Sequence, residues 1–201
     1  MKTQPTRKVM GDISNQLPPE ILPNPFRVWP EEGFEATPCL RSGAVLGAIA
    51  ACVSLLANVV GSVAWPAISG QPQHPLRLIQ VFLTFPLGEN ALTLNSGWVL
   101  ASGCLLYLTT GVLYGMLFEF AACYFLPHAR LGGRLIFFTL LAVLVWIVGF
   151  YGILLWLQPL LFGGRWIVDL IPWWVAGLSH VLFGITMAAI YPLRRSKKVG
   201  D

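Results

Sequence analysis

Apolar residues in this chain gather into four long runs, separated by mixed stretches where Pro, Gly and charged side chains return. The runs are 43–65 (GAVLGAIAACVSLLANVVGSVAW), 97–126, 135–157 (LIFFTLLAVLVWIVGFYGILLWL) and 172–193, which opens PWWVAGLSH. At a rise of ~1.5 Å per residue, each is long enough to cross a hydrocarbon core of roughly 30 Å. The pattern predicts an all-α fold, an integral membrane four-helix bundle whose spans are these four runs.

The flanking stretches complete the outline. Residues 1–42 are rich in Pro, with charges of both signs and scattered apolar residues, and are expected to form a largely irregular cytoplasmic tail. No short apolar region near the terminus reads as a cleaved signal peptide, so the first span is expected to stay in the mature protein. Residues 194–201 form a basic cytoplasmic stub. Two connecting stretches, 74–92 (HPLRLIQVFLTFPLGENAL) and 158–171 (QPLLFGGRWIVDLI), are too interrupted to span and too apolar to float in water. They are expected to be interfacial or re-entrant segments on the non-cytoplasmic side. Each follows a span and leads into another, which allows a parallel two-fold repeat, although residue identity between the halves is low.

Charge orients this framework. Of the 13 Lys and Arg residues, all but Arg77 and Arg165 fall in the tail, the stub or the loop between the second and third runs, where Arg130 and Arg134 lie. By the positive-inside rule both termini are cytoplasmic, and the expected location is a bacterial inner (plasma) membrane. Trp65, Trp98, Trp156, Trp166, Trp173 and Trp174 fall near the run ends on the other side, as an interfacial aromatic belt requires. The composition agrees: 56% hydrophobic and 11% charged, against roughly 25% charged in soluble domains. The net charge of +4 is explained by topology, so no nucleic-acid partner is expected.

Within the runs only Glu119 and His180 carry an acid, amine or imidazole. A charge at the bilayer centre costs ~2.5–3.5 kcal/mol on insertion scales, so such residues face protein, water or ligand. Both lie on helices with small residues four apart: Gly111, Gly115 and then Glu119 in the second run, and Ala176, His180, Gly184 and Ala188 in the fourth. That spacing brings helix backbones close. A direct or water-bridged contact between Glu119 and His180 is therefore feasible, forming with Asn58 and Tyr114 a candidate intramembrane polar site.

Three readings of the pair stand. As a structural element, each bonds across helices, with Asn58, Tyr107, Tyr114 or Ser179 as partners. As a functional element, the pair relays protons or holds a polar ligand such as a quinone head group. In the third reading Glu119 reaches the interface or a partner subunit. No enzyme is predicted, because no catalytic constellation accompanies these residues: Ser179 and His180 are sequence neighbours about 100° apart on a helix. A lone in-span histidine does not make a bis-histidine haem site. Cys39, Cys52, Cys104 and Cys123 have no metal-binding spacing, and neither a metal site nor a structural disulfide is expected.

The stretch HPLRLIQVFLTFPLGENALTLNSG ahead of a Gly-rich span, together with PWWVAGLSHVLFGITMAAIYP, resembles uncharacterised small bacterial four-span inner-membrane proteins. The similarity covers roughly residues 74–192, with His180-x-x-Phe183-Gly184 and Tyr191-Pro192 as its nearest elements. Some such proteins are associated with respiratory terminal oxidases, so the resemblance implies an accessory subunit. It carries over no catalytic residue, and Glu119 stands where the resemblance would place a histidine. The expected function is thus an accessory or structural subunit of a larger membrane complex, with a respiratory complex as the candidate host. The alternative is a small carrier, or a proton-conducting or quinone-binding component, working through Glu119 and His180. No cofactor is expected; the expected partners are the lipid bilayer and other membrane subunits, or a second copy of the chain.

Overall fold

The computed structural model of the protein describes residues 36–69, 76–127 and 129–196, which are helical almost throughout, with no strand among them. The elements are α1 (Ala36–Ser69), α2 (Arg77–Leu87), a 3-10 stretch Gly88–Thr93, and α3 (Gly97–Phe125). Next come α4 (Leu131–Ile147), a π-helical stretch Val148–Leu154, α5 (Leu155–Phe162), α6 (Trp166–Leu170) and α7 (Trp173–Ser196). Four stretches are long and apolar enough to cross a membrane: Ala36–Gly61, Gly97–Phe125, Leu131–Phe162 and Trp173–Tyr191. This is the make-up of a multi-pass membrane protein.

The helices overrun the apolar runs. α1 begins at Ala36, inside the stretch expected to be irregular up to residue 42, and Pro38 sits in its first turn, where a missing N–H costs no hydrogen bond. The rest of the tail, His74 and His128 lie outside the described residues. α4 begins at Leu131, so Arg134 belongs to a helix and not to a loop. The third span continues through the π-helical stretch to Phe162, where Gly163, at φ 85°, adopts the left-handed conformation that ends a helix without a Cβ clash.

Small residues set the packing. α1 and α3 run antiparallel, with Gly43 and Gly47 set against Gly115 and Gly111 so closely that a Cβ on Gly47 would stand 2.5 Å from the Gly111 carbonyl oxygen. Gly184 on α7 meets α4 in the same way, a Cβ there reaching 2.6 Å from the Phe138 carbonyl oxygen. Ala176 and Ala188 are buried on α7. The small-residue spacing in α3 and α7 therefore lies at helix contacts, while the matching pair in α1 escaped the sequence reading. α1 also packs on α7, whereas α3 and α4 touch only lightly. Around Phe118, which stacks on Phe138 and meets Phe183 edge-on, Leu46, Ala50 and Met187 fill the core.

The two apolar connections come together. α2 and α6 pack on each other and on the π-helical stretch, burying Val81, Phe150, Ile167 and Ile171. Gln158, fully buried, ties them: its amide nitrogen donates to Thr84 Oγ1 (2.9 Å), and its oxygen accepts from the Ile167 N–H (3.1 Å). On the neighbouring side Gln80 donates to the Leu94 carbonyl and to Asn95 Oδ1, both at 2.9 Å, fixing the turn into α3. These amides satisfy backbone groups that apolar surroundings would leave unpaired.

Candidate functional site

Glu119 does not pair with His180. Its Oε1 lies 3.4 Å from Arg134 Nη1, with the two side chains 2% and 4% exposed. Arg134 is held by geometry: it sits in the first turn of α4, and its guanidinium lies over the Tyr191 ring of α7, 3.5 Å from the centroid. A cation at a helix N-terminus opposes the helix dipole. The carboxylate and the ring face supply the stabilisation that the dipole denies. The result is a charged clamp of α3, α4 and α7, and it spans a side where α3 and α4 otherwise touch only lightly. Arg134 was missed because its position beside a loop made it look like a topology signal.

A disulfide joins Cys39 of α1 to Cys123 of α3 at the same end, contrary to the expectation of unbridged cysteines. Spacing along the chain carried no hint of it, because the two are 84 residues apart and become neighbours only when α1 and α3 pack antiparallel. The Cys123 sulfur lies 4.0 Å from Glu119 Oε1. A bridged sulfur has no proton to donate, so this is a packing contact. Cys52 and Cys104 remain free thiols. No group of three His, Cys, Asp or Glu suited to a metal ion occurs among the described residues.

His180 lies elsewhere, on a cavity of about 140 Å³ inside the bundle. Asn58 of α1, Tyr107 and Tyr114 of α3, and Ser179 of α7 line it with His180, and Phe82, Phe118, Phe150 and Phe183 supply aromatic wall. Gly149, Phe150 and Leu154 bring the π-helical stretch to the same wall. Such local widening of a helix is common at functional sites. Three of the four polar residues singled out from the sequence, His180, Asn58 and Tyr114, thus share one site that Glu119 does not line.

Most polar groups around the cavity are already satisfied. Asn58 donates to the Ser54 carbonyl at 2.8 Å and is hydrogen-bonded with the Tyr107 side chain. Thr110 and Ser179 each donate, at 2.9 Å, to a carbonyl of their own helix. His180 Nδ1 lies 2.8 Å from the Ala176 carbonyl oxygen. A carbonyl only accepts, so Nδ1 carries the proton, and in the neutral ring Nε2 is then an acceptor. The arrangement is a mainly apolar chamber with a few directed polar groups, the usual form of a small-molecule site between helices. The chain matches no protein-family model, no curated protein and no solved structure.

Proposed function

We propose that this is a four-span membrane protein that binds a small, uncharged, mainly apolar molecule within its bundle. The observation that carries the reading is the cavity itself: about 140 Å³, with His180 and Tyr114 on its wall and no Asp, Glu, Lys or Arg lining it among the described residues. A comparable engineered cavity of ~150 Å³ takes up benzene. Glu119 is assigned a structural role, because its buried pairing with Arg134 holds helices together. Eleven of the 13 basic residues support an orientation with both termini in the cytoplasm, and a bacterial inner membrane as the location.

The test is extraction of the purified protein with organic solvent and mass spectrometry of what it carried, with Val145→Trp as the comparison. Val145 lines the cavity, and an indole there fills it. Wild type is expected to carry a small molecule that the variant lacks. Equal contents in the two would refute the reading.

A second reading, the accessory subunit, is favoured by the third span. Only 6% of its most apolar 18-residue window is buried, and Ile136, Leu140 and Leu144 face outward. That surface suits lipid or a neighbouring subunit, and the resemblance to proteins associated with terminal oxidases points to a respiratory host. Mild detergent extraction is expected to recover haem-containing or other membrane subunits with the chain. Recovery as a lone homo-oligomer would exclude this role.

A further inference from the structure

We infer that the cavity takes a hydroxylated aromatic ring of the phenol class, hydroquinones included, whose hydroxyl donates to His180 Nε2 and accepts from the Tyr114 hydroxyl. The inference rests on the binding role proposed above and names the class of molecule bound.

Size and wall set the ring. The volume of about 140 Å³ fits one six-membered ring, and the phenylalanines around it suit the edge and stacked contacts that aromatic groups prefer. Charge is disfavoured by the lining, which among the described residues offers a carboxylate, phosphate or ammonium group no counter-ion.

Polar complementarity selects the hydroxyl. Asn58, Tyr107, Thr110 and Ser179 are bonded within the protein. Among the described residues, His180 Nε2 and the Tyr114 hydroxyl have no such partner. The two approach consecutive residues of the π-helical stretch. Tyr114 Oη stands 3.9 Å from where a Cβ on Gly149 would be, and His180 meets Phe150 edge-on with ring centroids 6.2 Å apart. A ligand carbonyl would set an acceptor against the acceptor Nε2. A plain hydrocarbon would leave both groups unsatisfied. A hydroxyl answers both, one as acceptor and the other as donor.

The experiment compares 4-fluorophenol with fluorobenzene, following both by fluorine NMR against the full chain in lipid nanodiscs, with empty nanodiscs as the background. Wild type is expected to bind 4-fluorophenol about tenfold more tightly, the size of one well-made hydrogen bond. Tyr114→Phe, which keeps the ring and its packing, and His180→Leu should each remove most of that preference while fluorobenzene binding stays within about twofold. Val145→Trp should abolish both. Equal binding of the two probes, or a preference that survives both substitutions, would overturn the phenol assignment and leave the binding role standing. Binding of neither probe above the empty-disc background would overturn both.

Discussion

Glu119 and His180 are the two residues that a chain this apolar should not contain without reason, and the bundle uses them in opposite ways. Around Glu119 the protein supplies its own counterpart: a guanidinium at 3.4 Å, a tyrosine ring under that guanidinium, and a disulfide one turn away. Around His180 it supplies one bond, to a carbonyl of the same helix, and then a cavity. The contrast teaches that ionisability alone does not mark function inside a membrane. A charge that is matched across three helices is committed to architecture. A ring with one nitrogen satisfied by its own helix, on the wall of a void, is the better place to look for a ligand.

The contrast breaks most sharply at the ion pair. Glu119→Ala or Arg134→Ala strands its buried partner and is expected to cost about 3–5 kcal/mol. Glu119→Leu combined with Arg134→Met removes both charges and should recover most of that loss, because apolar replacement of a buried pair is often neutral. Unfolding of the purified protein in detergent measures all three. A double variant no more stable than the singles would mean that the carboxylate and guanidinium do not act as a pair.

The disulfide sharpens the same end of the molecule. Cys39→Ala should cost about 2–4 kcal/mol in oxidised protein, as expected for closing a long loop. It also sets two topological arguments against each other, because the bridge shares its end of the bundle with Arg130 and Arg134. Positive-inside placement puts that end in the cytoplasm, where thiols are kept reduced. Rapid alkylation of intact cells is therefore expected to find Cys39 and Cys123 as thiols that bridge only after isolation. A bridged form in the cell would reverse the proposed orientation.

How much was legible follows from the range of each signal. Hydrophobic length is local, so the four spanning helices could be read from composition alone. The small-residue spacing of Gly111 and Gly115 was equally plain, but its partner Gly43-x-x-x-Gly47, at the start of the first run, had no ionisable residue within the run beside it to draw attention. Arg134 carried two meanings at once, topology and pairing, and counting charges by segment sees only the first. The Cys39–Cys123 neighbourhood and the cavity are tertiary: one depends on antiparallel register, the other on the separation of α3 and α4 and on the widened turn at Gly149–Phe150. The sequence still pointed to His180, Asn58 and Tyr114, because polar groups are scarce enough in these helices for each to be conspicuous. It grouped Glu119 with them only because depth along a helix says nothing about direction around it.

Packing comes next in size. Gly47→Leu forces a side chain into the Gly111 carbonyl and should cost about 1–3 kcal/mol through overpacking. At Gly61 nothing lies within 4 Å of where a Cβ would stand, so alanine should be accepted there with little change. The same unfolding measurement on both variants separates close approach from a general intolerance of larger residues.

The smallest expected effect on stability tests the cavity side of the comparison. His180→Leu exchanges a ring bonded to its own helix for a side chain suited to the Phe150 contact. Tyr114→Phe removes a hydroxyl that bonds to nothing among the described residues. Each should shift stability by less than about 1 kcal/mol, in line with polar contacts between membrane helices, which average ~0.6 kcal/mol. If His180→Leu instead destabilised the bundle as much as Glu119→Ala, the imidazole would be holding the helices together just as the carboxylate does. The difference between clamp and cavity would then be one of position alone, and the void beside His180 would lose its claim to be a site.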